Sequence, residues 1–340
     1  MSETGRRAAG GLRWIACELH SHTLHSDGRL EVAGLSRYGA GRGLDLVALT
    51  DHNTISGIAE IPSIPEEGAR ILPGMELTSF HGHILALGIR EYVEWRHLTR
   101  RNARTAADAI HALGGVVGAA HPFRPGNPFC TGCYWEFEDL DWACVDYIEA
   151  WSEPDPHLES RNARAIALWE GILDGGGRMA ATAGRDYHGG PPRGLEAATF
   201  LGAEPGRADL ASSAVEALRR GRVSVSIGPR LDLELAGAGG GPAFVPGDEV
   251  PAGGRPLRAR ASVDLASRRE RWAADVAPLR AAFRWKGGSV EAELRPEGDR
   301  GLVAAIELPA SASTWLRAEL VGEARGVETV VAFTSPLYLA

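Results

Sequence analysis

The sequence predicts an α/β fold: a parallel sheet closed into a barrel of about seven strand–helix units, then a smaller antiparallel β-rich region. Three observations predict it. Continuous apolar runs of strand length alternate with segments of helical period from Arg13 to Arg220, which is how strands covered on both faces by helices read. Histidines and carboxylates recur where those runs pass into loops, and the C-terminal rim of a closed barrel gathers such residues. From Leu231 onward the runs shorten, alternate, and are separated by Gly/Pro clusters, as in a β-sandwich.

Arg13–Leu19 is the first strand and ends at His20-Ser21-His22. Glu31–Arg42 has helical periodicity, and Leu44–Leu49 is an apolar strand that stops at Thr50-Asp51-His52. Ile71–Glu76 and Ile84–Leu87 are the next strands. Leu98–Leu113 is a helix with Gly114-Gly115 as its stop. Val116–Ala120 delivers His121, Val145–Trp151 is a further strand, and Leu158–Leu173 a helix. Met179–Ala183 leads to Asp186 and His188, Arg207–Arg220 is one more helix, and Val223–Ile227 a short strand. Leu231–Leu235, Leu257–Val263, Leu279–Trp285, Val290–Leu294, Leu302–Leu308, Trp315–Val321 and Val330–Phe333 read as sandwich strands, with Gly237 to Gly241 as a turn. The expected division is a disordered tail over 1–12, the barrel over 13–229 and the β-rich domain over 230–340.

A chain of 340 residues holds one large core and a smaller one. Its net charge of −8 argues against a nucleic-acid duplex as partner. No apolar run approaches the roughly 18 residues of a membrane span. Arg6 and Arg7 have no apolar stretch behind them, so no secretory signal is read, and a cytoplasmic location is expected. Cys17 and Cys144 read as small buried hydrophobes. Cys130 and Cys133 form a C-x-x-C without a second pair at zinc-ribbon spacing, which favours ordinary thiols over a structural zinc.

Side chains alternate along a strand, so His20 and His22 point the same way and both reach one metal. A lone H-x-H is weak evidence. Here Asp27, Asp51-His52, Glu76, His83, His121, Asp186 and His188 follow it, each at a strand end or in the loop beyond. Neutral imidazole and carboxylate suit Zn, Mn or Fe, and the joint occurrence points to a site of two to three divalent ions.

These residues carry a family resemblance. Glu18-Leu19-His20-Ser21-His22-Thr23 with Ser26-Asp27-Gly28, and Leu49-Thr50-Asp51-His52-Asn53-Thr54, resemble the first two motifs of the PHP (polymerase and histidinol phosphatase) superfamily. Ala120-His121-Pro122 and Ala183-Gly184-Arg185-Asp186-Tyr187-His188 resemble the third and fourth. Pro73-Gly74-Met75-Glu76, Gly82-His83, Glu149-Ala150-Trp151 and the ending Ser335-Pro336-Leu337-Tyr338-Leu339 look most like its CehA/McbA branch of metallohydrolases. The resemblance implies a distorted (β/α)7 barrel with up to three metals at its strand ends. It assigns His20, His22, Glu76 and Asp186 to one metal, with Glu76 as the bridge to a second. His121 fits that second metal with His83 as partner, His81 being the alternative two residues earlier on the same face. Asp27, His52 and His188 fit a third. Asp51 orients a ligand or anchors the turn, with direct ligation as the lesser alternative, and His25 is exposed or supports the site from outside it.

Such a cluster would activate a bridging hydroxide held by Glu76 and Asp186, and would clamp both oxygens of an in-line displacement. Phosphate esters also want bidentate arginines, for which Arg124, Arg185 and Arg193 are the candidates, against ordinary ion pairs. The aromatic stretch Phe123–Trp142, with Phe129, Tyr134, Trp135 and Phe137, reads as a lid over a flat or apolar leaving group, against packing on the rim. Three functions follow. A phosphomonoesterase acting on a small phosphorylated metabolite or nucleotide is favoured; a carbamate, ester or amide hydrolase is second; a non-catalytic PHP scaffold is third. The partner is a small molecule, with a homo-oligomer left open.

Overall fold

A computed structural model describes residues 11–125, 134–191, 193–206, 209–239, 241, 243–251, 256–271 and 279–340. Cys130, Cys133 and Phe129 lie outside them. In the first part, the strands are β1 (Arg13–Glu18), β2 (Leu46–Leu49), β3 (Arg70–Ser79), β4 (Gly82–Leu87), β5 (Val116–Ala119), β6 (Tyr147–Ser152), β7 (Ala180–Gly184), β8 (Ala198–Ala203) and β9 (Val223–Ser226). The helices are α1 (Val32–Gly41), α2 (Ala103–Ala112), α3 (Ser160–Asp174) and α4 (Leu210–Arg219). Each helix buries one stripe: Val32, Leu35 and Gly39 on α1, Ala103, Ala106, Ala107 and Ile110 on α2. On α3 the stripe is Asn162, Ala165, Trp169 and Leu173, the spacing that a helix with one face on a sheet requires. α4 starts on a side-chain cap, Asp209 accepting from the Ser212 amide at 2.8 Å.

β1, β2 and β3 run parallel, as do β5, β6 and β7, and every residue of β2, β4, β5, β6 and β7 is buried. The sheet curls until β7 lies beside β8. There the Thr199 hydroxyl accepts from the Ala183 amide and donates to the Ala183 carbonyl, both at 2.9 Å. The regular alternation of strand and helix is not kept. β4 runs antiparallel between β3 and β5, because a turn at Phe80-His81 is too short to carry a crossover helix. β8 runs antiparallel to β1, and a 3-10 helix, Ser56–Ser63, replaces an α-helix between β2 and β3. The result is a mixed α/β architecture with a large sheet and few helices.

The remaining strands are β10 (Arg230–Gly237), β11 (Glu249–Val250), β12 (Leu257–Asp264), β13 (Arg280–Trp285), β14 (Gly288–Ala292), β15 (Arg295–Pro296), β16 (Gly301–Glu307), β17 (Thr314–Ala324), β18 (Val327–Thr334) and β19 (Leu337–Leu339). β10, β12, β16 and β15 form a four-stranded antiparallel sheet. Its alternating Leu231, Leu233, Leu235, Ala259, Ala261 and Val263 are buried, in one apolar cluster with Phe283, Leu316, Ala318 and Leu320 of the other layer. That other layer is continuous with the first part of the molecule, since β18 pairs antiparallel with β9 through Ala332↔Ser226 and Thr334↔Ser224. Among the described residues no helix is long and apolar enough to cross a membrane. Cys17 is buried and Cys144 half-buried, both as free thiols.

Candidate metal centre

The end of β1 is held extended on both sides. The Ser21 amide donates to Thr50 Oγ1 at 3.0 Å and the Thr50 amide to the Ser21 carbonyl at 2.9 Å. The His22 amide reaches the Tyr187 carbonyl at 2.8 Å, and the Tyr187 amide reaches the His20 carbonyl at 3.0 Å. Ser21 therefore faces away, and His20 and His22 present rings 5.1 Å apart to the interior. The following loop is pinned by buried Asp51, whose carboxylate accepts from the Thr23 amide and hydroxyl and from the Ser26 hydroxyl, each at 2.7 Å. Of the roles weighed from sequence, Asp51 takes the anchor.

Glu76, fully buried on β3, lies at the centre of the cluster. Its Oε1 is 2.9 Å from His83 Nδ1 and 3.4 Å from both His20 Nε2 and His121 Nε2. Its Oε2 is 2.6 Å from His52 Nδ1 and 3.5 Å from His22 Nε2. Asp186 Oδ1 lies 2.9 Å from His22 Nε2, 3.2 Å from His20 Nε2 and 3.5 Å from His188 Nδ1. Asp27 Oδ1 lies 3.1 Å from His188 Nε2 and 3.5 Å from His52 Nε2. The nine residues singled out as ligands from the sequence thus come together. His83 faces Glu76, while His81 turns toward Glu136 at 3.9 Å. His25 is engaged outside the cluster, with Ser56 at 2.8 Å and Glu60 at 2.7 Å.

The donor set fits divalent metal. Ligand atoms fall within 4.8 Å of one another in the groups His20, His22, Glu76, Asp186; Glu76, His83, His121; and His22, Asp27, His52, His188. His20 Nε2, His22 Nδ1 and His121 Nδ1 are buried and, among the described residues, accept and donate no hydrogen bond. Such nitrogens cost free energy unless something ligates them. Burial alone pushes the Glu76 carboxyl up, but His52, His20 and His83 outweigh it and hold the group well below its ordinary range. Asp186 behaves likewise, burial being outweighed by His20, His22 and Arg124. Both are ionised. Burial lowers His22 in spite of Asp186 and Glu76, which favours the neutral imidazole that a metal needs.

Two buried carboxylates without a role in the sequence reading hold this arrangement. Glu149 on β6 accepts from His20 Nδ1 at 2.8 Å through Oε1 and from the His121 amide at 2.8 Å through Oε2. Glu18 Oε1 accepts from the His20 and Arg185 amides, both at 2.9 Å. The signal for Glu149 was its place inside a strand-length run of mostly apolar residues, buried along its whole length, where an acid must have partners. Gly184 is required by the same contact, since a Cβ there would lie 1.8 Å from Glu149 Oε1. His121 (φ +25°) and Asp186 (φ +53°) sit in left-handed backbone, as strand-end residues turned inward do.

The candidate substrate residues divide. Arg124 bonds Asp186 and lies 2.9 Å from Glu153 Oε1, at the edge of the cluster. Arg185 is turned away from it: its guanidinium pairs with Glu196, reaches the Tyr38 hydroxyl and covers the Tyr187 ring at 4.7 Å. Arg193 is exposed. Trp135 packs on Trp142 and Phe137 with centroids 5.4 and 5.1 Å away, so it supports the rim, whereas Tyr134 stays 39% exposed. Arg164, missed in the sequence because it lies on a helix, covers Phe123 at 4.3 Å.

With this geometry in view, the comparisons with known proteins are informative. No family model matches the chain. The crystal structure of a two-domain protein containing a predicted PHP-like metal-dependent phosphoesterase, from Bacteroides vulgatus, superposes with a TM-score of 0.50 and 15% identity over 98% of this chain and 99% of that one. The two chains share a fold. A candidate metal-dependent phosphoesterase from Bifidobacterium adolescentis superposes with a TM-score of 0.38 and 21% identity over 52% of this chain and 90% of that one. An uncharacterized protein of Methanocaldococcus jannaschii is 27% identical over 149 residues, 40% of this chain and 83% of its own length.

Proposed function

We propose that this chain is a metal-dependent hydrolase of the PHP superfamily, and that it acts as a phosphomonoesterase on a small phosphorylated molecule. The observation that carries the reading is Glu76 and Asp186 buried and ionised among six imidazoles, with the Arg124 guanidinium on Asp186. His20, His22, Glu76 and Asp186 would hold one cation, His83, His121 and Glu76 a second, and Asp27, His52 and His188 a third. Divalent cations bound there supply Lewis acidity toward a phosphoryl oxygen and an acidified water. The protein's own part is positional. Glu149 fixes the His20 ring and Glu18 the His20 backbone, Asp51 fixes the loop of Asp27, and Arg124, held between Asp186 and Glu153, sets a positive charge beside the oxygens of the transferred group.

A second reading keeps the same centre and attacks a carbonyl carbon in a carbamate, ester or amide, as the CehA/McbA resemblance implies. One observation favours it: Leu24 is 61% exposed, Phe80 72% and Tyr134 39%, in the loops after β1, β3 and β5, and exposed apolar side chains there suit a neutral apolar substrate. p-Nitrophenyl phosphate and 1-naphthyl N-methylcarbamate, assayed side by side with Mn, Zn and Fe supplied in turn, separate the two. Phosphate release that Asp186→Ala abolishes is the expected result. Turnover of the carbamate alone would transfer the assignment to the second reading, and no metal-dependent turnover of either would leave the scaffold.

A further inference from the structure

Away from the histidine cluster, a cleft of about 720 Å³ opens between the loop at Gly43 and the turn that follows β12. Its size lies within the range of about 300–1,000 Å³ typical of small-molecule sites. Arg268, Arg269, Arg271 and Arg300 line it, against Glu270 and Asp299 alone. This is a local excess of positive charge on a chain whose net charge is −8. None of the ion pairs among the described residues involves Arg268, Arg271 or Arg300. Arginines elsewhere on the surface are mostly paired, as Arg280 is with Glu291 and Glu328.

Arg268 is the informative one. It is held in left-handed backbone, φ +49°, and among the described residues its guanidinium donates to the Arg42 carbonyl alone, from Nε and Nη2 at 3.4 Å. Burial, then the like charge of Arg42, pushes it down to about 10 despite Glu196 and Glu18 nearby. The Arg42 side chain is already committed to Glu196. A desolvated cation beside a second cation, in a strained conformation, with further arginines lining the same cleft, is a group that an anion would stabilise. Guanidinium forks match phosphate oxygens in pairs.

We propose that this cleft binds a small, multiply charged phosphate anion, at a site separate from the histidine cluster and independent of the reaction assigned to it. The test is calorimetric titration of the full chain carrying Asp186→Asn with inorganic pyrophosphate, since that change disables the cluster and leaves the cleft intact. One pyrophosphate per chain is expected. Adding Arg268→Gln or Arg300→Gln is expected to weaken binding ten-fold or more, while Arg37→Gln, an exposed arginine elsewhere, leaves it unchanged. Arg300 is exposed, so its variant folds even if Arg268→Gln does not, which circular dichroism reports. Absence of binding in the Asp186→Asn chain, wild-type affinity in folded Arg300→Gln, or equal weakening by Arg37→Gln would each overturn the proposal.

Discussion

At the scale of single residues, Glu76 and Glu149 divide the work of the site. Glu76 touches the rings of His20, His22, His52, His83 and His121, so it is the atom pair that metals would share. Glu149 touches no other candidate ligand than His20 and His121, and it sets how the His20 ring is protonated and turned. Replacing Glu149 by Gln keeps the volume and removes the charge. Metal affinity measured by competitive titration is expected to fall about 10–100-fold with the fold intact, and an unchanged affinity would mean that Glu149 only fills space. The two arginines give opposite outcomes. Arg124→Ala is expected to cost ~2–4 kcal/mol in kcat/KM for a phosphate ester with little change in Tm. Arg185→Ala removes one of the two guanidiniums on buried Glu196, Arg42 keeping the other oxygen, and is expected to cost about 1.5–3 kcal/mol of stability, seen in denaturant melts, with the remaining folded enzyme active. A catalytic loss without a stability loss at Arg185 would restore it as a substrate contact.

At the scale of elements, the strand ends were readable in the sequence and the strand order was not. Apolar runs such as Leu46–Leu49 and Val116–Ala119 are buried along their whole length, and the polar residues that follow them, His52 and His121, stand where the strands end and their rings turn in toward Glu76. β8 escaped notice because Ala198–Ala203 is rich in Ala and Gly and shows no alternation, although its edge covers β1 from Arg13↔Ala203 to Cys17↔Thr199. Arg185 misled for a related reason: position beside a ligand says nothing of direction, and its side chain leaves on the face opposite to Asp186. Gly184 tests how tightly β6 and β7 are drawn together. Gly184→Ala would push Glu149 off His20, and metal content by elemental analysis is expected to drop far more than for Gly171→Ala, where a Cβ meets nothing within 4 Å. Equal retention in both would show that the strands can spread.

For the whole molecule, the candidate ligands draw β1, β3, β4 and the loops after β2, β5 and β7 to one point, so bound metal ties most of the sheet together. Two to three ions per chain are expected in protein purified without chelator. Their removal should lower Tm, by an amount equivalent to about 4 kcal/mol where free metal stands a thousand-fold above Kd. A Tm indifferent to chelator would argue against a loaded site. The C-terminal strands are part of this unit. The Ala181 amide donates to Ser335 Oγ at 3.2 Å and the Met179 amide to the Tyr338 hydroxyl at 3.0 Å, so β7 is held by residues from the end of the chain. A chain ending at Pro229 also leaves β9 without its partner β18. It is expected to aggregate or to lose metal, and a soluble, fully metallated product would show that these bonds are dispensable.

Those bonds to β7 bear on synthesis as well. Residues 20–188 leave the ribosome ahead of Ser335, so every imidazole and carboxylate of the cluster is made before that residue exists. Until Ser335 and Tyr338 arrive, the strand leading to Asp186 lacks two of its anchors, and β9 waits with a bare edge. Such long-range pairing is slow, and a metal that captured His20 and His22 early would do so without Asp186 firmly in place. Faithful loading is therefore tied to the arrival of Ser335 and Tyr338, which act as the latch on a strand laid down 154 to 159 residues earlier.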